Sequence, residues 1–142
     1  MPAFQTVDVI LFTLVPMVAI GAMSLLKEPA RRNFNAIFVG GAGAAYLSGG
    51  FLPWEVVFTA VMTWVSYKGL QSYRYVGIAW LLHVAWDVVH HVYGNPIVPL
   101  LPMSSAGCAI TDTILACWCF AGAPSAVDLV MAPRVRARGA RA

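Results

Sequence analysis

Apolar residues gather into five runs along the chain, at about 7–26, 34–52, 54–70, 75–94 and 103–122. A helix needs ~20 apolar residues to cross a bilayer, with ~17 as the lower limit, so the third run is the shortest of the set. The interruptions are turn-forming or charged: Lys27-Glu28-Pro29-Ala30-Arg31-Arg32-Asn33, then Gly49-Gly50…Pro53, then Gln71-Ser72-Tyr73-Arg74, then the Pro-rich stretch Gly94–Pro102. This pattern predicts an all-α integral membrane bundle of five transmembrane helices. Pro16 is expected to kink the first of them. The second carries Gly40, Gly41, Gly43, Ala44, Ala45, Ser48 and Gly49, small residues that let helices approach closely in lipid. Packing inside the bundle is the expected use of that stripe, and a dimer is the alternative.

Composition agrees with the pattern. Hydrophobic residues are 60% of the 142 and charged residues 11%, with a mean hydropathy of +0.74, well above a soluble domain. A single transmembrane domain over 1–133 is expected, followed by a basic tail at 134–142. No cleavable signal peptide is expected, because the first run lacks a basic flank and is long enough to span. Cys108, Cys117 and Cys119 share one apolar run and define no disulfide framework.

Charge then orients the bundle. With the N-terminus extracytoplasmic, five crossings put the first connection, the third connection and the tail in the cytoplasm. Those segments hold Lys27, Arg31, Arg32, Lys68, Arg74, Arg134, Arg136, Arg138 and Arg141, which are all nine basic residues of the chain. A four-helix arrangement would break that agreement. The tail reads as a solvated topogenic anchor rather than a nucleic-acid arm, so no nucleic-acid partner is expected. Ser125-Ala126-Val127-Asp128 has the form of a capping box for a short interfacial turn. Trp54 and Tyr93 suit the outer interface, and Tyr67, Tyr73 and Tyr75 the inner one.

The chemistry concentrates in the fourth run. All three histidines lie in His83-Val84-Ala85-Trp86-Asp87-Val88-Val89-His90-His91. On a helix, His83, Asp87, His90 and His91 fall at roughly 0°, 40°, 340° and 80°, one contiguous face. Ionisable groups are costly in hydrocarbon, so such a face looks into a protein interior or a wet cavity. On the fifth run Ser104, Cys108, Thr111 and Asp112 share a face, and topology sets Asp112 near the level of Asp87. Glu55 opens the third run near the level of His91. Six polar residues from three helices therefore map to the outer half of the bundle.

Three uses fit that set. The first is a metal site drawn from His83, Asp87, His90, His91 and Asp112, with Glu55 as a further candidate. Imidazole and carboxylate together suit Zn, Fe or Mn. His83 and His91 are ~12 Å apart along the axis, so one ion would use a subset. The second use is a proton relay, and the third a structural network of His–Asp hydrogen bonds. Haem ligation needs one histidine but leaves the carboxylates unexplained. The apolar loop Asn95–Pro102 reads equally as a lid over an outer-facing pocket or as a segment dipping into the interface.

The stretch His83–His91, followed by Asn95-Pro96 and by Ser104-Ser105-Ala106-Gly107-Cys108-Ala109-Ile110-Thr111-Asp112, resembles the signature of an uncharacterised family of small bacterial multi-pass integral membrane proteins. The resemblance covers the last two helices. It implies a bacterial cytoplasmic (inner) membrane location and no known activity. The inventory of three His, an Asp and a Ser is similar to that of membrane zinc hydrolases of the alkaline ceramidase type, without their dispersed histidines. Membrane di-iron desaturases share an x-x-His-His ending but use many more than three histidines. The expected function is metal-assisted or acid–base chemistry on a lipid or other hydrophobic small molecule, with Asp87 and Asp112 as catalytic residues. The alternatives are an ion- or proton-coupled transporter and a non-catalytic subunit of a homo-oligomer or larger membrane complex.

Overall fold

The computed structural model describes residues 5–98 and 100–130. The basic tail at 134–142 lies outside them. Among the described residues all regular structure is helical. Helix α1 runs Thr6–Met23, α2 Ala30–Ala44, α3 Trp54–Gly69, α4 Tyr73–Val92 and α5 Ser104–Phe120. At its end α2 tightens into a 3₁₀ turn, Ala45–Ser48. A last helical stretch at residues 126–130 starts at Ser125, whose Oγ accepts the Asp128 N–H at 3.2 Å, the cap its sequence foretells.

Each expected segment overlaps one observed α-helix, and the ends differ for physical reasons. Residues 30–33, polar enough to read as a connection, form the first turn of α2. Arg31 is buried there because its guanidinium donates to the Leu26 carbonyl at 3.1 Å and the Ala123 carbonyl at 2.9 Å. Arg32 donates to the Leu70 carbonyl at 3.0 Å. The two arginines thus tie together the ends of α1, α3 and α5.

Among the described residues α1 is the one helix both long and apolar enough to cross a membrane on those criteria alone. Helix α5 is apolar over 17 residues. Helix α4 has 20 residues but carries His83, Asp87, His90 and His91, which lower its hydropathy. Helices α2 and α3 have 15 and 16 residues, and the 3₁₀ turn lengthens the former. Large apolar side chains are exposed on every helix: Val18 is 71% exposed, Ile37 68%, Trp64 60%, Val92 53% and Phe120 48%. On α1 only Pro16 and Met23 are buried.

Helix α4 is central and touches α2, α3 and α5, while α1 packs mainly on α5. A Cβ on Gly107 would run into the Phe12 ring, so the glycine sets how closely α1 and α5 approach. Pro16 has no N–H to give the Phe12 carbonyl. Thr111 supplies the missing donor, its Oγ1 lying 3.0 Å from that oxygen. Gly40 and Gly43 face α3, where a Cβ on Gly43 would sit 2.8 Å from Met62 Cβ. This part of the small-residue stripe is used within the bundle.

The core is graded along the bundle axis. Toward the end where Arg31 and Arg32 lie it is mainly apolar, built from Met23, Ala36, Val39, Met62, Val65, Val76, Trp80 and Leu115, with Arg31 and Asn35 buried among them. Toward the other end the buried residues turn polar: Glu55, His83, Asp87, His90, Ser104, Ser105 and Asp112.

Candidate metal centre

The period of α4 puts His83, Asp87 and His90 on its inner face, where they are 5%, 0% and 0% exposed. Across the seam α5 contributes Asp112, 5% exposed. His83 Nδ1 lies 2.6 Å from Asp112 Oδ2 and 3.3 Å from Asp87 Oδ2. A ring nitrogen carries one proton, and the shorter contact claims it. Asp87 Oδ2 is therefore left without a donor, although it sits within ion-pair distance of the imidazole. The ligand atoms of His83, Asp87 and Asp112 all lie within 4.8 Å of one another.

Tyr46, fully buried in the 3₁₀ turn, completes the surroundings. Its hydroxyl donates to Asp87 Oδ1. Its ring stands between the two imidazoles, with centroids 5.4 Å from His83 and 4.3 Å from His90.

His90 faces another way, and the helix stop explains its pose. Gly94 has φ +69° and ends α4 in a Schellman motif: Gly94 N–H donates to the His91 carbonyl at 3.2 Å, and Asn95 N–H to the His90 carbonyl at 2.9 Å. The chain so turned brings the Asn95 carbonyl to 2.9 Å from His90 Nδ1. A carbonyl only accepts, so Nδ1 carries the proton and Nε2 of the neutral ring is left with a lone pair. Asn95 also donates from its side chain to the Gly49 carbonyl. Ile97 and Val98 donate their N–H groups to Ser105 and Ser104 Oγ at 2.9 and 3.0 Å. The loop after α4 is thus fastened across the polar end of the bundle by its own backbone.

Of the five ligand candidates, three meet: His83, Asp87 and Asp112. His90 shares their face but packs on the Tyr46 and Phe51 rings, and half-buried His91 stands outside the three-donor set, about 100° further round the helix. On the fifth helix, Thr111 is spent on α1 and Ser104 on the loop. Tyr46 carries no signal in the sequence, and Asn95, though part of the signature stretch, gives none of its contact with His90: an aromatic among small apolar residues and an Asn before a proline are common in helix ends and turns.

Chemically, one imidazole and two carboxylates form the three-ligand set of an open metal site for a borderline or hard divalent ion. At metal–ligand distances of ~2.0–2.2 Å, neighbouring donors stand somewhat over 3 Å apart, so the His83–Asp87 spacing fits. The shorter His83–Asp112 contact would have to open for an ion to take the place of the shared proton. Without metal, the same Asp112–His83 dyad orients an imidazole whose Nε2 is buried and has no partner, the arrangement of a general base held by a carboxylate.

Fold and site define an all-helical bundle with an apolar exterior and a buried histidine–aspartate cluster at one end. The model of a family of unknown function, DUF6010, matches residues 7–125, and the chain belongs to that family. No curated protein and no solved structure matches significantly.

Proposed function

We propose that this is a five-span integral membrane protein of the bacterial inner membrane, N-terminus outside, whose outer half holds a divalent transition metal on His83, Asp87 and Asp112. Its activity is metal-assisted or acid–base chemistry on a lipid or similar hydrophobic molecule. The observation that carries the reading is the convergence of three buried donors from two helices within 4.8 Å. Burying two carboxylates beside one imidazole is costly without a cation to neutralise them. Asp87, tethered by Tyr46, and Asp112 serve as ligands or base, and His83 joins them.

The apolar exterior supports the membrane reading, as does the grouping of Lys27, Arg31, Arg32, Lys68 and Arg74 toward one end. A shallow apolar groove of about 430 Å³ lies on the outer face of the α4–α5 seam, and none of the three cluster residues lines it. It is lined by Val84, Val88, Ala109, Ile110, Thr113 and Ile114, sequence neighbours of the cluster residues.

A second reading, proton- or ion-coupled transport, is favoured by the unbroken run of contacts from Asp112 through His83 and Asp87 to Tyr46. Elemental analysis of protein purified without chelator separates the two. The metal reading predicts a bound ion in wild type that Asp112→Asn loses. Metal-free wild type overturns it.

A further inference from the structure

Beyond the three-donor cluster, a second group of buried polar atoms has no partner. Glu55, in the first turn of α3, is 0% exposed, and neither carboxylate oxygen meets a donor. His90 is 0% exposed, and its Nε2 likewise meets none. The two side chains face each other over Gly49. A Cβ at that position would lie 2.5 Å from Glu55 Oε1, 2.5 Å from His90 Cε1 and 3.1 Å from the Tyr46 carbonyl oxygen. Glycine is required there by close approach.

The free atoms of Glu55 and His90 are all acceptors, while one free buried donor, Trp86 Nε1, belongs to a ring whose centroid lies 5.7 Å from that of His90. Glu55 offers two oxygens, and the Asn95 carbonyl fixes the proton of His90 on Nδ1, leaving a lone pair on Nε2. The Tyr46 carbonyl has a second lone pair beyond the one used by Gly49 N–H. A buried carboxylate facing an imidazole lone pair needs a positive charge between them, supplied by a proton on Glu55 or by a metal ion. A ligating histidine whose other ring nitrogen donates to a backbone carbonyl is also the usual pose of an imidazole on a metal.

We propose that Glu55 and His90, with the Tyr46 carbonyl as a third donor, form a second site for a divalent transition-metal ion. It is separated from the His83–Asp87–Asp112 site by the Tyr46 ring, which packs against both imidazoles. The imidazole donor selects a transition metal over an alkali ion. The two sites share Tyr46, whose hydroxyl holds Asp87 and whose carbonyl faces Glu55.

The test is metal stoichiometry on the full chain, loaded with Mn²⁺ or Zn²⁺, desalted and counted by elemental analysis. Wild type should hold two ions, Glu55→Gln one, Asp112→Asn one, and the double variant none. Gly49→Ala keeps both ligands but places a methyl between them, and should also lose one ion. It reads the same site if Glu55→Gln does not fold. A wild-type count that neither Glu55→Gln nor Gly49→Ala lowers overturns the second site. A single ion removed by Asp112→Asn alone overturns it too and leaves the first site standing. A single ion removed by Glu55→Gln alone upholds the second site and overturns the first.

Discussion

Tyr46 ties the polar end of the bundle together, since its hydroxyl holds a buried carboxylate and its ring separates two imidazoles. Tyr46→Phe keeps the ring and removes the donor, leaving Asp87 Oδ1 without it. We expect a loss of about 1–3 kcal/mol in stability by thermal or denaturant melting. Metal affinity measured by titration should fall about 10–100-fold. The sequence makes some of this legible: helical period alone assembles His83, Asp87 and His90 on one face, and helix level brings Asp112 to them. It cannot disclose Tyr46, because nothing in an apolar, glycine-rich run announces that a phenol will meet a residue 41 positions later. Nor does it separate His90 from His91, since two adjacent residues on a wheel both border the same face until the packing of α3 decides.

At the scale of elements, two backbone devices aim the site. The Schellman turn at Gly94 delivers the Asn95 carbonyl to His90. Gly94→Ala forces a Cβ into the left-handed region and should cost about 1–2 kcal/mol, read as a lower melting temperature. The Phe12 carbonyl, which Pro16 cannot serve for want of an N–H, receives the Thr111 hydroxyl. Thr111→Val should cost about 0.5–2 kcal/mol and loosen α1 from α5, seen as faster hydrogen exchange along α1. Helix number follows from the apolar runs, and so do the centres of all but α2, because each run must bury or shield its backbone in a helix. The start of α2 does not follow, because Arg31 and Arg32 read as solvated until the carbonyls of Leu26, Ala123 and Leu70 are seen to receive them. The end of α2 differs as well: the 3₁₀ turn that carries Tyr46 falls where the small-residue pattern continues unbroken.

For the whole molecule, five spans with opposite termini predict that cysteines introduced as Ala3→Cys and Ala140→Cys label from opposite sides of the membrane. Labelling of both from one side contradicts that topology. The central claim is that the buried His83–Asp87–Asp112 group is a metal centre and not a brace. A ligand bound only by the folded state stabilises it in proportion to the logarithm of its saturation. At about a thousandfold excess over Kd this amounts to ~4 kcal/mol, a melting shift on the order of 10 °C for a chain of this size. The most direct measurement is therefore the melting temperature of wild type and Asp87→Asn, each with and without chelator. The account predicts that chelator lowers the wild-type value by that order and lowers Asp87→Asn by less, because that variant keeps only the Glu55–His90 ion and already melts low. Equal wild-type melting with and without chelator, together with only a modest loss in Asp87→Asn, would contradict it.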